Sequence, residues 1–149
     1  MQIGDHVPDF TLPDQTGAER SLSELAADGP VVLFFYPAAM TKGCTIESCH
    51  FRDLKKEFDD AGATRVGISM DTVDKQAAFS DKHDFDYPLL ADTDGTVASL
   101  FGVKRRIGAL RTKRSTFVIG QDLVVKGVIN SELSMNSHAD KALEILASS

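Results

Sequence analysis

Apolar residues come in short blocks along this chain, and the spacing inside each block separates strands from helices. The run Val31-Val-Leu-Phe-Phe-Tyr36 has no polar interruption, so it predicts a strand buried on both faces over residues 31–36. Phe51, Leu54 and Phe58 then recur at intervals of three and four, which predicts a helix over residues 44–60 closed by Gly62. A second strand is expected over residues 64–70. Thr72 is placed to cap a helix over residues 73–83. Residues 88–91 read as a short strand and residues 95–101 as a short helix ending at Gly102. Two β-rich segments, 115–119 and 124–129, flank Gly120-Gln-Asp-Leu123 as a hairpin, and a last helix covers residues 139–146. At the start, Phe10-Thr-Leu and Glu19-Arg-Ser flank the turn-rich Pro13-Asp-Gln-Thr-Gly17 as another hairpin, followed by a short helix at Ser23-Glu-Leu-Ala-Ala. Strands thus alternate with helices and end in a hairpin, which implies an α/β fold with helices on both faces of a mixed sheet.

Composition narrows the function more than the fold. The chain has 149 residues, 42% hydrophobic and 26% charged, as expected for one domain spanning 1–149 with one good core. Its net charge of −6 argues against a general nucleic-acid binder. The longest apolar stretch, residues 31–40, is far short of the roughly 20 needed to cross a membrane. The first ten residues show neither a basic nor an apolar leader pattern, so a cytoplasmic protein is expected. In that reducing setting the two cysteines, Cys44 and Cys49, point to catalysis or metal binding rather than to a structural staple.

The cysteines sit where the buried strand hands over to the helix. Free N–H groups and the macrodipole favour negative charge at a helix N-terminus, and the thiolate is the reactive form of cysteine. Cys44 is therefore the candidate nucleophile, and Cys49, five residues on, is placed to capture what Cys44 becomes. Gly43 permits close approach to the sulfur. Thr41 offers either a hydroxyl to the site or an N-cap to the helix. Pro37 ends the strand, having no N–H to pair. Glu47, three residues after Cys44, can orient an arginine or serve the first helical turn as a plain acid. Residues 104–114 carry six Lys and Arg and no acid; such a run is commonly solvated surface. His6, His50, His83 and His138 are scattered, and Cys44, Cys49 and His50 do not match the spacing of a zinc site. Asp92-Thr-Asp-Gly95 is too short for a calcium loop and reads as a turn.

The segment Pro37-x-x-x-Thr41-x-x-Cys44 resembles the peroxidatic motif of the peroxiredoxins. Cys49 with Phe51-Arg52-Asp53 behind it is similar to the peroxiredoxin Q (bacterioferritin comigratory protein) branch, and Arg114-Ser-Thr-Phe-Val-Ile resembles the strand that supplies its active-site arginine. The likeness extends from Gly4-Asp-His-Val-Pro8-Asp-Phe10 to the C-terminal helix. It implies a thioredoxin-like fold: a central mixed β-sheet flanked by helices, with an N-terminal β-hairpin. It also implies a thiol-dependent peroxidase acting on hydrogen peroxide and organic hydroperoxides. In that scheme Cys44 attacks, Pro37 shields it from water, Arg114 and Thr41 stabilise developing charge, and Cys49 resolves the sulfenic acid in an intramolecular disulfide. Thioredoxin or glutaredoxin would reduce that disulfide. No metal, haem or flavin is implied, and a monomer or weak homodimer is expected. Arg111 competes with Arg114 for the arginine role. Lys42, Ala38 and Ser137 depart from the family pattern, which bears on loop rigidity and substrate preference.

Two other classes fit the same cysteines. A thiol–disulfide oxidoreductase should show Cys-x-x-Cys, but Thr41 stands three residues before Cys44. A redox sensor or switch would use the same disulfide without turnover.

Overall fold

The computed structural model describes residues 1–105, 112–132 and 134–148. Its centre is the uninterrupted apolar run: β3 (Val31–Phe35) is buried at every position. It pairs in parallel with β4 (Thr64–Ser69) and antiparallel with β6 (Ser115–Ile119). β5 (Leu89–Ala91) joins β4 in parallel and β7 (Val125–Asn130) joins β6 antiparallel, giving a mixed sheet in the order β5-β4-β3-β6-β7. Two further strands, β1 (Thr11–Pro13) and β2 (Glu19–Ser21), form the expected N-terminal hairpin.

Alternate residues of β3 feed two cores, because successive side chains in a strand point to opposite faces. Val31, Leu33 and Phe35 pack with Leu22 and Leu25 of α1 (Leu22–Leu25) and with Val97 and Ala98 of α5 (Thr96–Leu100). Val32, Phe34 and Tyr36 face α2 (Lys42–Asp53), α3 (Lys55–Asp60), α4 (Val73–His83) and α6 (Ser137–Ala147). On that side Phe51 of α2 stacks flat on Phe34 at 4.1 Å between ring centroids, anchoring α2 to the sheet.

Several details match the sequence pattern. Thr72 caps α4 by accepting from the N–H of Lys75, and Gly62 adopts φ +70° just past α3. One expectation fails. The single helix over residues 44–60 is two helices, starting at Lys42 and broken at Leu54, whose φ and ψ of −93° and 23° close α2 and open α3. The break has a partner across the core. The Arg65 guanidinium of β4 donates to the Phe51 carbonyl at 2.9 Å, satisfying an acceptor in the last turn of α2. Apolar spacing could not reveal this, since Phe51, Leu54 and Phe58 keep helical intervals across the break.

Candidate active site

The site is assembled at the C-terminal end of β3. Tyr36 makes the last bond of the ladder, from its N–H to the Ile68 carbonyl at 3.1 Å. Buried Pro37 follows, and the chain turns through residues 37–41 into α2. That turn is fixed from below by a polar network. The Ala39 N–H donates to Asp71 Oδ2 at 2.7 Å, and the Ser69 hydroxyl donates to the same oxygen at 2.7 Å. Gln76 donates to Ser69 Oγ and to the Leu90 carbonyl, both at 2.9 Å, and accepts from the Tyr36 hydroxyl. Met40 completes the turn in the left-handed region at φ 69°, a strained choice for a side chain of that size.

Thr41 occupies the N-cap position of α2, yet its side chain caps nothing; its hydroxyl donates instead to the Ala38 carbonyl at 2.8 Å. With its proton committed there, the oxygen is left as an acceptor. Cys44 lies in the first turn of α2 and is completely buried. Arg114, just ahead of β6, is also buried. Its Nη2 donates to Cys44 Sγ at 3.2 Å and its Nη1 to Glu47 Oε1 at 2.7 Å. The fork therefore spans sulfur and carboxylate at once. Gly43 makes room for it, since a Cβ there would lie 3.2 Å from Arg114 Nη2 and 3.3 Å from Met135 Sδ. The close approach at Gly43 is thus by side chains rather than by backbone.

Charge in the site follows from burial. Burial works against the Arg114 cation, but Glu47 and Cys44 hold it above its ordinary value. Burial pushes the fully enclosed Glu47 carboxyl up to about 8 against the pull of Arg114. Burial also raises the half-buried Cys49 thiol, with Arg52 pulling the other way. Cys44 and Cys49 are both free thiols, held on the same helix.

All seven sequence candidates lie on the 37–49 segment or on Arg114, which meets that segment through Cys44 and Glu47. Arg111 and most of the 104–114 run lie outside the described residues. Of that run, Arg105 pairs with Glu132 at 2.6 Å, and Lys104 reaches the Asp94 carbonyl. Sequence reasoning missed the Tyr36–Gln76–Ser69–Asp71 network, and it missed His138. That histidine is fully buried on α6 beside Ala139 and Ala142, with Nδ1 3.5 Å from Glu47 Oε2. An ionisable residue within an apolar helical stripe was the available signal. Among the described residues no cluster of three or more His, Cys, Asp or Glu could hold a metal ion.

An arginine brought onto a helix-start cysteine from a strand 70 residues later is what the Thr41-x-x-Cys44 and Arg114-Ser-Thr motifs implied. A sequence profile of the AhpC/TSA family matches residues 3–128. The chain belongs to this peroxiredoxin family. A Mycobacterium tuberculosis protein named as a peroxiredoxin is 64% identical over 148 residues, 98% of this chain and 96% of that one. The crystal structure of peroxidoxin BcpB, also from M. tuberculosis, matches with a TM-score of 0.96 at 61% identity, covering 99% of this chain and 97% of that one. Xanthomonas campestris peroxiredoxin Q matches with a TM-score of 0.85 at 31% identity, over 93% and 90% of the two chains. The chain is thus a thioredoxin-like peroxiredoxin with relatives in the peroxiredoxin Q branch. No helix among the described residues is long and apolar enough to cross a membrane.

Proposed function

We propose that this peroxiredoxin reduces hydrogen peroxide and organic hydroperoxides with Cys44 as the attacking thiol and Cys49 as the resolving one. The observation that carries the reading is the Arg114 fork, which bonds Cys44 Sγ and Glu47 together in a buried site. Cys44 thiolate attacks the terminal peroxide oxygen; the O–O bond breaks, and the leaving oxygen takes a proton as water or alcohol. The sulfur becomes a sulfenic acid. Arg114 stabilises the charge that develops on the leaving oxygen, and Thr41 Oγ1 accepts from the hydroperoxide O–H. Pro37 helps keep water from the sulfur, Gly43 leaves space for Arg114, and Glu47 orients it.

Cys49 then displaces hydroxide from the sulfenic sulfur, giving an intramolecular disulfide and water. Five residues of α-helix separate two Cα atoms by about 8.7 Å, beyond the roughly 7 Å a disulfide spans, so α2 must unwind over residues 44–49 first. Thioredoxin or glutaredoxin supplies the two electrons that restore both thiols. The enzyme acts as one cytoplasmic domain, 1–149, in a monomer or weak homodimer.

Peroxide consumption with thioredoxin and glutaredoxin systems tests the reading. Cys44→Ser should abolish turnover, whereas Cys49→Ser should give a single turnover and a trapped sulfenic acid. First oxidation on Cys49, read by mass spectrometry, would reverse the roles. Oxidation without turnover with any donor would favour a switch, and insulin reduction would favour a thiol–disulfide oxidoreductase.

A further inference from the structure

Helix α2 and its N-cap carry three hydroxyl side chains, and two of them are bonded. The Thr41 hydroxyl donates to the Ala38 carbonyl and the Thr45 hydroxyl to the Thr41 carbonyl, at 2.8 Å and 2.7 Å. Ser48 differs. It is fully buried, and its Oγ has no hydrogen-bond partner, so that even the Cys44 carbonyl one turn back, a common acceptor for a helical serine, does not take its proton.

The surroundings explain why. Cys44, four residues before Ser48, and Phe51, three after, share its face of the helix, and both belong to the core that contains Phe34 and Tyr87. The Tyr87 hydroxyl donates to the Ser48 carbonyl at 2.7 Å rather than to its side chain. The Ser48 hydroxyl has thus left water without gaining a bond in its place, an arrangement that is uncommon in folded proteins and destabilises the packed state.

Its position gives that penalty a consequence. Ser48 lies between Cys44 and Cys49, in the stretch that must leave the helix before a disulfide can join them. The penalty acts only while this stretch is helical and packed, because unwinding returns the hydroxyl to water. Neighbouring Glu47 also has an oxygen without a hydrogen bond, Oε2, but its carboxyl is bound to Arg114 and cannot be altered without disturbing the thiol.

We infer that Ser48 sets the rate of the resolving step: its buried, unbonded hydroxyl weakens α2 between the two cysteines and so raises the fraction of molecules open for Cys49 to reach the Cys44 sulfenic acid. This rests on the peroxidase reading for its consequence, though not for the opening of the helix. Ser48 touches no reacting atom; it is a positioning residue that acts through the helix. A sulfenic acid left waiting can react with a second peroxide, the sulfur gaining an oxygen to become sulfinic acid while the peroxide leaves as water or alcohol. Faster opening lets Cys49 form the disulfide first.

S48A removes the hydroxyl and keeps the helix. Native-state hydrogen exchange on the reduced protein, with no peroxide present, should be about tenfold slower at the amides of residues 44–49. Rapid quench should show the disulfide forming more slowly by the same factor after an unchanged first oxidation of Cys44, with the sulfinic acid formed per turnover rising in step. Alanine also favours helix over serine, so I46A is the control: isoleucine and serine have similar helix propensities, and Ile46 is 43% exposed between the same cysteines. Equal slowing in I46A would reduce the effect to propensity, and unchanged or faster exchange in S48A would show that the hydroxyl costs the helix nothing; either result overturns the inference. Slowed exchange in a chain that turns over no peroxide would support the weakening of α2 and overturn only the peroxidase reading.

Discussion

The Arg114 side chain reaches two partners whose chemistry can be probed separately. Arg114→Ala should slow the reaction with peroxide about 10²- to 10³-fold, and alkylation of Cys44 far less, because only the peroxide step develops charge on a leaving oxygen. Stopped-flow rates for both reactions, measured on the same preparation, check this; equal losses would leave Arg114 acting on the thiol only. Glu47 gives a prediction about stability. Its carboxyl titrates near 8 when folded against 4.5 in the ordinary state, so between those values the folded chain holds a proton that the unfolded chain releases. That contribution is present below pH 4.5 and is lost as pH rises through 8. Urea denaturation should therefore show a downward slope with pH in this window, and E47Q should flatten it. His138 opposes this at the acid end: its depressed value makes folding less favourable as pH falls below 6.5, where the unfolded ring takes up a proton. Single residues were legible in the sequence where a short motif marked them, as with Pro37, Thr41, Cys44 and Arg114. His138 and Asp71 were not, because each reaches the site through a tertiary contact that no local spacing encodes.

At the level of elements, α2 holds Cys44 and Cys49 on one helix, and the proposed disulfide would require that helix to open. Hydrogen exchange across residues 41–52 should rise when the disulfide forms; unchanged protection with the disulfide confirmed would mean that the bond forms without unwinding. The helix is also held from outside its own ladder. Buried Tyr87 donates to the Ser48 carbonyl at 2.7 Å, one residue before Cys49, and Arg65 holds the Phe51 carbonyl. Tyr87→Phe removes the first of these at a cost of about 1 kcal/mol, a factor near five in the unwinding equilibrium. Resolution of the sulfenic acid by Cys49 should speed up by that factor, measured by rapid quench, while the first oxidation of Cys44 stays unchanged. Element types were readable because each apolar block had its own period. The division between α2 and α3 was not, since Arg65, which accompanies it, comes from another strand.

For the whole molecule, the strand order and the two-sided core follow from alternation along β3, and the aromatic layer on one side has no slack. A Cβ on Gly67 of β4 would lie 2.8 Å from Leu89 Cδ2 and 3.0 Å from Phe34 Cζ. Gly67→Ala should cost about 1–3 kcal/mol of stability by overpacking, read by thermal or urea unfolding, with fluorescence and exchange changes on the α2 face. The architecture was legible in outline, but which strand lies beside which was not, because pairing partners are decided by packing across the whole sheet. That pairing has a consequence for the chain during synthesis. Phe35 at the end of β3 is in register with Ser115 at the start of β6, so Arg114 reaches the cysteine only once a segment 80 residues further along has docked antiparallel beside the first. A ribosome-bound chain carrying Cys44 but not yet β6 lacks the Arg114 contact to the sulfur. Under the proposed mechanism, peroxide reactivity is therefore completed together with the sheet.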